Sequence, residues 1–260
     1  MIASRLLGTL NLTPFPPPRS DAIVLSSTCR RDCPNGGSIL LREGVYHVTK
    51  TLLLDRRVHI FGRGRAVLWG ELPADSDFIL STSSSATLDR LRIDDQTRGW
   101  SRSLSSPLGL WLQGCDLSST GKNRGWALVA LNPSTLVNVL GCAFRCRAGN
   151  GLAYREGACG RVEGCNILGF SGGAGFSLGG ASTSPLFSRN TIRDCKVGVS
   201  ISSNVDPSWS LGEGNVFVNC TTEVYRVPPP LELPPPGPLA PAWLDDSFGC
   251  FRGRGCSSGF

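Results

Sequence analysis

Two adjacent aspartates beside arginines are the residues of this sequence whose types and spacing could support acid–base chemistry. Asp94 and Asp95 lie in the stretch LRIDDQTRGW, with Arg92 before them and Arg98 after them. Paired carboxylates can share the acid and base or nucleophile roles of glycoside hydrolysis. A polar turn that ends a strand would use the same residues. We therefore treat these four residues as catalytic candidates, with a structural turn as the alternative.

Three tryptophans are the candidates for a binding surface. Trp100, Trp111 and Trp209 lie at predicted loops or strand edges. There an indole can present a flat apolar face together with one hydrogen-bond donor. Trp126 and Tyr154 are predicted to lie in the core instead. His59 alternates with Val58 and Ile60, which predicts an outward position.

The cysteines do not follow a metal-site pattern. The chain has 11 Cys and 2 His. The Cys29/Cys33 and Cys142/Cys146 pairs have no second close pair or nearby His to complete a zinc site. Asp116 is the one carboxylate that the repeat described below places on its outward column, whereas calcium needs several oxygen ligands. We expect no metal ion and no cofactor.

The charge pattern argues against nucleic acid as a partner. The net charge is +6, and all but three of the 26 basic residues are arginines scattered along the chain. A nucleic-acid groove would show a basic stripe interleaved with aromatic residues. The first 18 residues make a poor secretory leader, and no apolar run approaches the roughly 18 residues of a membrane span. We expect an intracellular location and no membrane association.

A repeat of 23 to 28 residues organises the central part of the chain. One position of the repeat follows a Gly or Arg and holds Arg63, Leu91, Cys115, Cys142, Cys165, Asn190 and Asn215. The position two residues later is apolar in six of the seven units: Ile93, Leu117, Phe144, Ile167, Ile192 and Phe217. Such short alternating segments at this period predict two or three strands per coil of a parallel β-helix.

A second series sets the register of another strand. The segments GWAL, GLAY, GFSL and GVSI begin at Gly125, Gly151, Gly175 and Gly198. If equivalent residues stack in columns, this alignment places Trp126, Leu152, Phe176 and Val199 in one internal column, and Leu128, Tyr154, Leu178 and Ile201 in the next. Ala127, Ala153, Ser177 and Ser200 would then face outward.

The first coil carries a family resemblance. ILLREGVYHVTKTLLLDRRVHIFGRG, from Ile39 to Gly64, resembles the opening coil of right-handed parallel β-helix proteins of the pectin-lyase-like superfamily. GCNILGF and SRNTIRDCKVGVSI resemble repeats shared by carbohydrate-active β-helices and by β-helix domains of F-box and adaptor proteins. The resemblance covers residues 38–219 and implies the right-handed winding.

We therefore predict an all-β, right-handed parallel β-helix of about seven coils over residues 38–226. Residues 1–37 would form an N-terminal cap or tail, and residues 227–260 a Pro-rich extension.

The expected function is a non-catalytic module that binds a protein partner or a glycan on its outer face. A polysaccharide lyase or glycoside hydrolase is the alternative, although the N-T-D, H-G and R-I-K signatures of the superfamily's hydrolases are missing. A structural subunit of a β-helical trimer is a third possibility, and the oligomeric state stays open.

Overall fold

The structure is a computed structural model that describes residues 9–12, 36–70, 72, 78–82, 84–95, 102–106, 109–119, 126–130, 136–146, 150–170 and 172–229. For residues 9–12, 78, 81–82, 95, 102–106, 119, 126–130 and 146 the description covers the backbone alone. Two candidate residues, Arg98 and Trp100, lie outside the described residues. So do most of the predicted N-terminal cap and the extension from residue 230 onward.

The described secondary structure is entirely β-strand. The strands are β1 (Thr9–Leu12), β2 (Gly37–Leu41), β3 (Gly44–Val48), β4 (Leu52–Leu54), β5 (Val58–Gly62), β6 (Ala66–Gly70), β7 (Phe78–Thr82), β8 (Ala86–Asp89), β9 (Arg92–Asp95), β10 (Arg102–Ser106), β11 (Gly109–Gln113), β12 (Asp116–Ser119), β13 (Trp126–Ala130), β14 (Leu136–Leu140), β15 (Ala143–Cys146), β16 (Asn150–Tyr154), β17 (Cys159–Glu163), β18 (Asn166–Leu168), β19 (Ala174–Leu178), β20 (Leu186–Ser188), β21 (Thr191–Arg193), β22 (Val197–Ile201), β23 (Val216–Val218) and β24 (Thr222–Arg226).

These strands wind into a parallel β-helix, as predicted. Strands β2 to β22 form seven successive sets of three. Among the described strands of these sets, all except β20 pair in parallel with the equivalent strand one coil later. The first strands of the sets join β1 in sheet 1, the third strands join β24 in sheet 2, and the second strands join β23 in sheet 3. Because every coil stacks on the one before it, equivalent side chains of successive coils lie next to one another.

The core is a set of continuous apolar columns. In sheet 1 alternate residues point inward, and their register aligns Ile39, Ile60, Leu88, Leu112, Val139, Val162 and Phe187. All seven are at most 1% exposed. This alternation explains why the strands read as apolar residues at every second position. It also leaves the intervening side chains on the outer surface.

The predicted Cys and Asn column is confirmed from Cys115 onward. Cys115, Cys142, Cys165 and Asn190 are each at most 2% exposed. The N–H of Cys115 donates to Sγ of Cys142 at 3.4 Å, and the N–H of Cys165 donates to Oδ1 of Asn190 at 2.9 Å. Each side chain thus accepts a hydrogen bond from the coil before it. This bond explains why a Cys or an Asn recurs at the bend between two strands.

Two register predictions are wrong, both because turn lengths vary. Arg63 is exposed, and the turn between β5 and β6 is longer than the later ones, so Ala66 takes the position that Leu91 holds one coil later. Trp126 aligns with Asn150, and it is Leu128 that aligns with Leu152. The segment before Trp126 is longer than its counterpart one coil later, which shifts the register by two residues.

The turn residue that directly precedes a member of the Cys and Asn column in sequence adopts a left-handed conformation, as the recurring Gly predicts. Gly141 and Gly164 have φ of 57° and 63°. Arg90 and Arg189 hold the same position with φ of 51° and 55°. Since a left-handed conformation costs a non-Gly residue about 1 kcal/mol, the column contacts must outweigh that cost in those two coils.

Candidate functional site

The outer faces of the three sheets differ in how much of them is accessible. On sheet 2, Ala153 and Ser177 occupy outward positions, but they are 0% and 8% exposed. That face therefore offers little surface to a ligand at these coils. The outward residues of sheets 1 and 3 include exposed side chains, among them those of the candidates Trp111 and Arg92.

Sheet 1 carries a polar face centred on Trp111, which we name the Trp111 face. Its central row is aligned by strand pairing across β5, β8, β11, β14 and β17, and consists of His59, Thr87, Trp111, Asn138 and Arg161. A second row, two residues further along the strands, consists of Phe61, Asp89, Gln113, Leu140 and Glu163. At a strand spacing of about 4.8 Å, each row is about 19 Å long.

Trp111 is the exposed aromatic residue of this face. It is 39% exposed, whereas its strand neighbours Leu110 and Leu112 are fully buried. Thr87 and Asn138 flank it directly on the adjacent strands. An indole between two polar side chains can stack on a planar or apolar group while its neighbours hydrogen-bond the same ligand.

Ion pairs neutralise both carboxylates of the Trp111 face. Arg161 lies 3.1 Å from Glu163, and Arg189 pairs with the same carboxylate from the next coil. Asp89 pairs with Arg90 at 3.1 Å. Glu163 is thus held between two guanidinium groups, a poor arrangement for a general base. The charges suit recognition of a polar ligand better than proton transfer.

His59 lies at the far end of the central row, on an outward position as predicted. Its ring centroid is 5.2 Å from that of Phe61. Among the described residues, its buried Nε2 atom has no hydrogen-bond partner.

Trp209, the third aromatic candidate, lies apart from the Trp111 face. Its indole N–H donates to the carbonyl of Pro185 at 3.0 Å. Its ring is half-buried against the core, 6.5 Å from that of Phe176. These contacts stabilise the late coils and already use the indole donor. Trp111, and not Trp209, is therefore the described tryptophan that we take as the candidate binding residue.

Two of the four catalytic candidates, Arg92 and Asp94, lie on the outer face of sheet 3. Arg92 donates to Asp94 at 3.0 Å, and the Asp94 side chain is 5% exposed. Asp95 ends β9, and its side chain lies outside the described residues. The structure thus brings two of the four candidates into contact, as a buried carboxylate paired with one arginine.

A second ion pair lies beside the first one. Strand pairing aligns Arg92 with Asp116 and Asp94 with Ser118. Asp116 in turn lies 3.8 Å from Arg145 of the next coil. The sequence analysis identified Asp116 as the one carboxylate of its outward column. It did not connect Asp116 with Asp94, because it compared the residues of only one of the two outward columns. Comparing the two outward columns, two residues apart, would have shown both carboxylates on one face.

The buried thiols are poor nucleophiles. A hydrogen bond with Cys142 lowers the pKa of Cys115, whereas the same contact and burial raise the pKa of Cys142 well above its usual value. Burial raises the pKa of Cys165 to about 11. All three side chains are sealed inside the coil, which is typical of structural thiols. Among the described residues, no group of three or more His, Cys, Asp or Glu side chains could hold a metal ion.

Comparison with known proteins identifies the fold family. The family model described as "Right handed beta helix region" matches residues 78–225, more than half of the chain. The chain belongs to the right-handed β-helix family. This membership establishes the right-handed winding and agrees with the likeness to the pectin-lyase-like superfamily.

Other comparisons add little about this right-handed β-helix. It is similar to a solved structure, ORF18 of Geobacillus virus E2, with 10% sequence identity and a TM-score of 0.40. The match covers 85% of this chain and 61% of the viral chain. No curated protein sequence matches. In the part of the chain that the structure describes, no helix is long and apolar enough to cross a membrane.

Proposed function

We propose that this right-handed β-helix is a non-catalytic binding module that recognises a glycan, or an extended segment of a protein partner, on its Trp111 face. The supporting observation is the exposure of Trp111 in the middle of an aligned polar row. β-Helices host enzymes and binding proteins alike, so the site, and not the fold, supports this proposal.

A glycan fits the chemistry of the face better than a globular protein does. The central row combines one aromatic plane with the hydroxyl of Thr87 and the amide of Asn138. Gln113 adds a second amide in the neighbouring row and is exposed. Sugar rings present both apolar faces and many hydroxyl groups, and a row of about 19 Å could hold several rings in line.

Removing the indole should abolish most of the binding. We expect Trp111→Ala to weaken glycan affinity by about tenfold or more, because a central aromatic anchor commonly contributes more than 1 kcal/mol. The measurement is equilibrium binding to a panel of neutral and acidic polysaccharides. A protein partner would appear instead as loss of a captured protein by the same variant.

The matched control is Val45→Ala. Val45 is 42% exposed and lies on sheet 3, away from the Trp111 face. This variant also loses exposed apolar surface, yet it should bind as the wild type does. Equal affinity of Trp111→Ala and wild type for every ligand that binds would rule the proposal out.

The second candidate is carbohydrate cleavage at the sheet 3 cluster, by a lyase or hydrolase reaction. The observation in its favour is the nearly complete burial of Asp94 beside Arg92, with Asp116 on the neighbouring strand. Cleavage would appear as reducing-sugar release or as absorbance of unsaturated products. Loss of that activity in Asp94→Asn is required for this candidate.

A further inference from the structure

Two cysteines occupy equivalent positions on the last two coils. Strand pairing aligns Arg193 with Val218. Beyond it, the N–H of Asp194 donates to the carbonyl of Val218 at 3.0 Å, and the N–H of Thr221 donates to the carbonyl of Cys195 at 3.2 Å. This register stacks Cys220 on Cys195 at equivalent positions of adjacent coils.

This thiol pair differs from the internal sulfur column in its exposure. Cys115, Cys142 and Cys165 each lie between coils on both sides and are at most 2% exposed. Cys195 is equally buried, but Cys220 is half-buried. Cys220 follows β23, and within the described residues no strand stacks beyond β23. Cys220 is therefore the thiol of this pair that is more accessible to a small reagent.

We propose that Cys195 and Cys220 form a dithiol site that exchanges with small disulfides of the glutathione class and closes to a disulfide between two coils. Stacked strands lie about 4.8 Å apart, which is within the Cα–Cα range of about 4.4 to 6.8 Å that a disulfide spans. The site is independent of the Trp111 face, so neither proposal depends on the other.

The exchange proceeds in two balanced steps. The thiolate of Cys220 attacks one sulfur of oxidised glutathione, forms a mixed disulfide and releases one reduced glutathione. The thiolate of Cys195, having released its proton to solvent, then attacks the Cys220 sulfur and displaces the second glutathione, which takes up a proton. Two protons and two electrons pass in total from the protein dithiol to the glutathione disulfide.

Burial sets the order of these steps. It raises the pKa of the Cys195 thiol to about 11, so little of its thiolate is present at neutral pH. The more accessible Cys220 attacks first, and closure by Cys195 is the slower step. The product ties β23 and β24 to the coil that precedes them. The last coil should then resist proteolysis in the oxidised protein.

Tryptic mapping of the full chain tests the proposal directly. The protein is incubated with excess oxidised glutathione, alkylated under denaturing conditions and digested without reduction. Cleavage after Arg193, Lys196 and Arg226 places Cys195 in peptide 194–196 and Cys220 in peptide 197–226. The expected result is a linked pair of these two peptides, with Cys115, Cys142 and Cys165 recovered as alkylated thiols. Recovery of Cys195 and Cys220 as thiols, or linkage of Cys220 to another cysteine, would overturn the proposal.

A variant distinguishes formation of the Cys195–Cys220 disulfide from reaction of Cys220 alone with oxidised glutathione. Cys195→Ala should stop at the mixed disulfide, so that Cys220 carries one glutathione. The control is Cys159→Ala, which removes another half-buried thiol and should still give the linked peptides. If Cys195→Ala does not fold, the tryptic peptide map of the wild-type protein is sufficient to test the proposal. A glutathione adduct that persists on Cys220 of the wild-type protein would contradict closure.

Discussion

Replacing Gly160 with alanine is expected to prevent folding or to lower the free energy of unfolding by more than about 4 kcal/mol. Gly160 lies in β17 opposite Val137 of β14 and has φ of +131°. A Cβ atom there would lie 1.9 Å from the carbonyl oxygen of Val137. The obstacle is backbone of the adjacent strand, so no side chain can move aside. The measurement is the denaturant midpoint or, if no folded protein forms, the soluble fraction.

Gly141→Ala is the matched control for this substitution. Gly141 also has a positive φ, of 57°, but a Cβ atom would meet nothing within 4 Å. We expect it to lose about 1 kcal/mol, the cost of a left-handed conformation alone. If the two variants unfolded at the same denaturant concentration, close strand approach at Gly160 would not be the reason for its glycine.

Replacing Asn190 with leucine is expected to lower the free energy of unfolding by about 2–4 kcal/mol. Asn190 is fully buried. Its side chain accepts from the N–H of Cys165 at 2.9 Å and donates to the carbonyl of Val162 at 3.0 Å. Leucine has a similar volume but removes both hydrogen bonds, and the buried N–H of Cys165 loses the acceptor that Asn190 provides. Denaturant unfolding of the full chain measures the loss.

Asn190→Cys tests whether the column position needs a hydrogen-bond acceptor. Cys142 holds the equivalent position two coils earlier, and its sulfur accepts the N–H of Cys115 at 3.4 Å. A cysteine at position 190 should likewise accept the N–H of Cys165, so we expect a smaller loss than for leucine. The account of the column fails if leucine is tolerated better than cysteine.

The regular part of the fold was predictable from residue types and spacing. Leu117, Phe144 and Ile167 recur at a fixed position because each must fill the same slot inside successive coils. Cys165 and Asn190 share a column because either side chain can accept the same backbone hydrogen bond. These constraints are local and repeat in every coil, so one sequence displays them several times.

Features that depend on turn length or on contacts between coils were not predictable. The longer turn that contains Arg63 and the longer segment before Trp126 shift the register, and no residue pattern marks the size of either shift. Tyr154 donates to the carbonyl of Val137 at 2.8 Å, a contact across the core that spacing along one strand cannot show. The Asp116–Arg145 pair likewise joins two coils. The hydrogen-bond and ion-pair partners of these residues therefore needed the three-dimensional structure.

The measurement that tests the central claim most directly combines ligand titration with product analysis of the same samples. The best-binding polysaccharide is titrated against wild type, Trp111→Ala and Asp94→Asn, and the ligand is then analysed by size. The account predicts saturable binding to wild type and Asp94→Asn, affinity lower by about tenfold or more for Trp111→Ala, and a ligand recovered intact. A ligand shortened by the wild type but not by Asp94→Asn would contradict it and identify an enzyme acting at sheet 3.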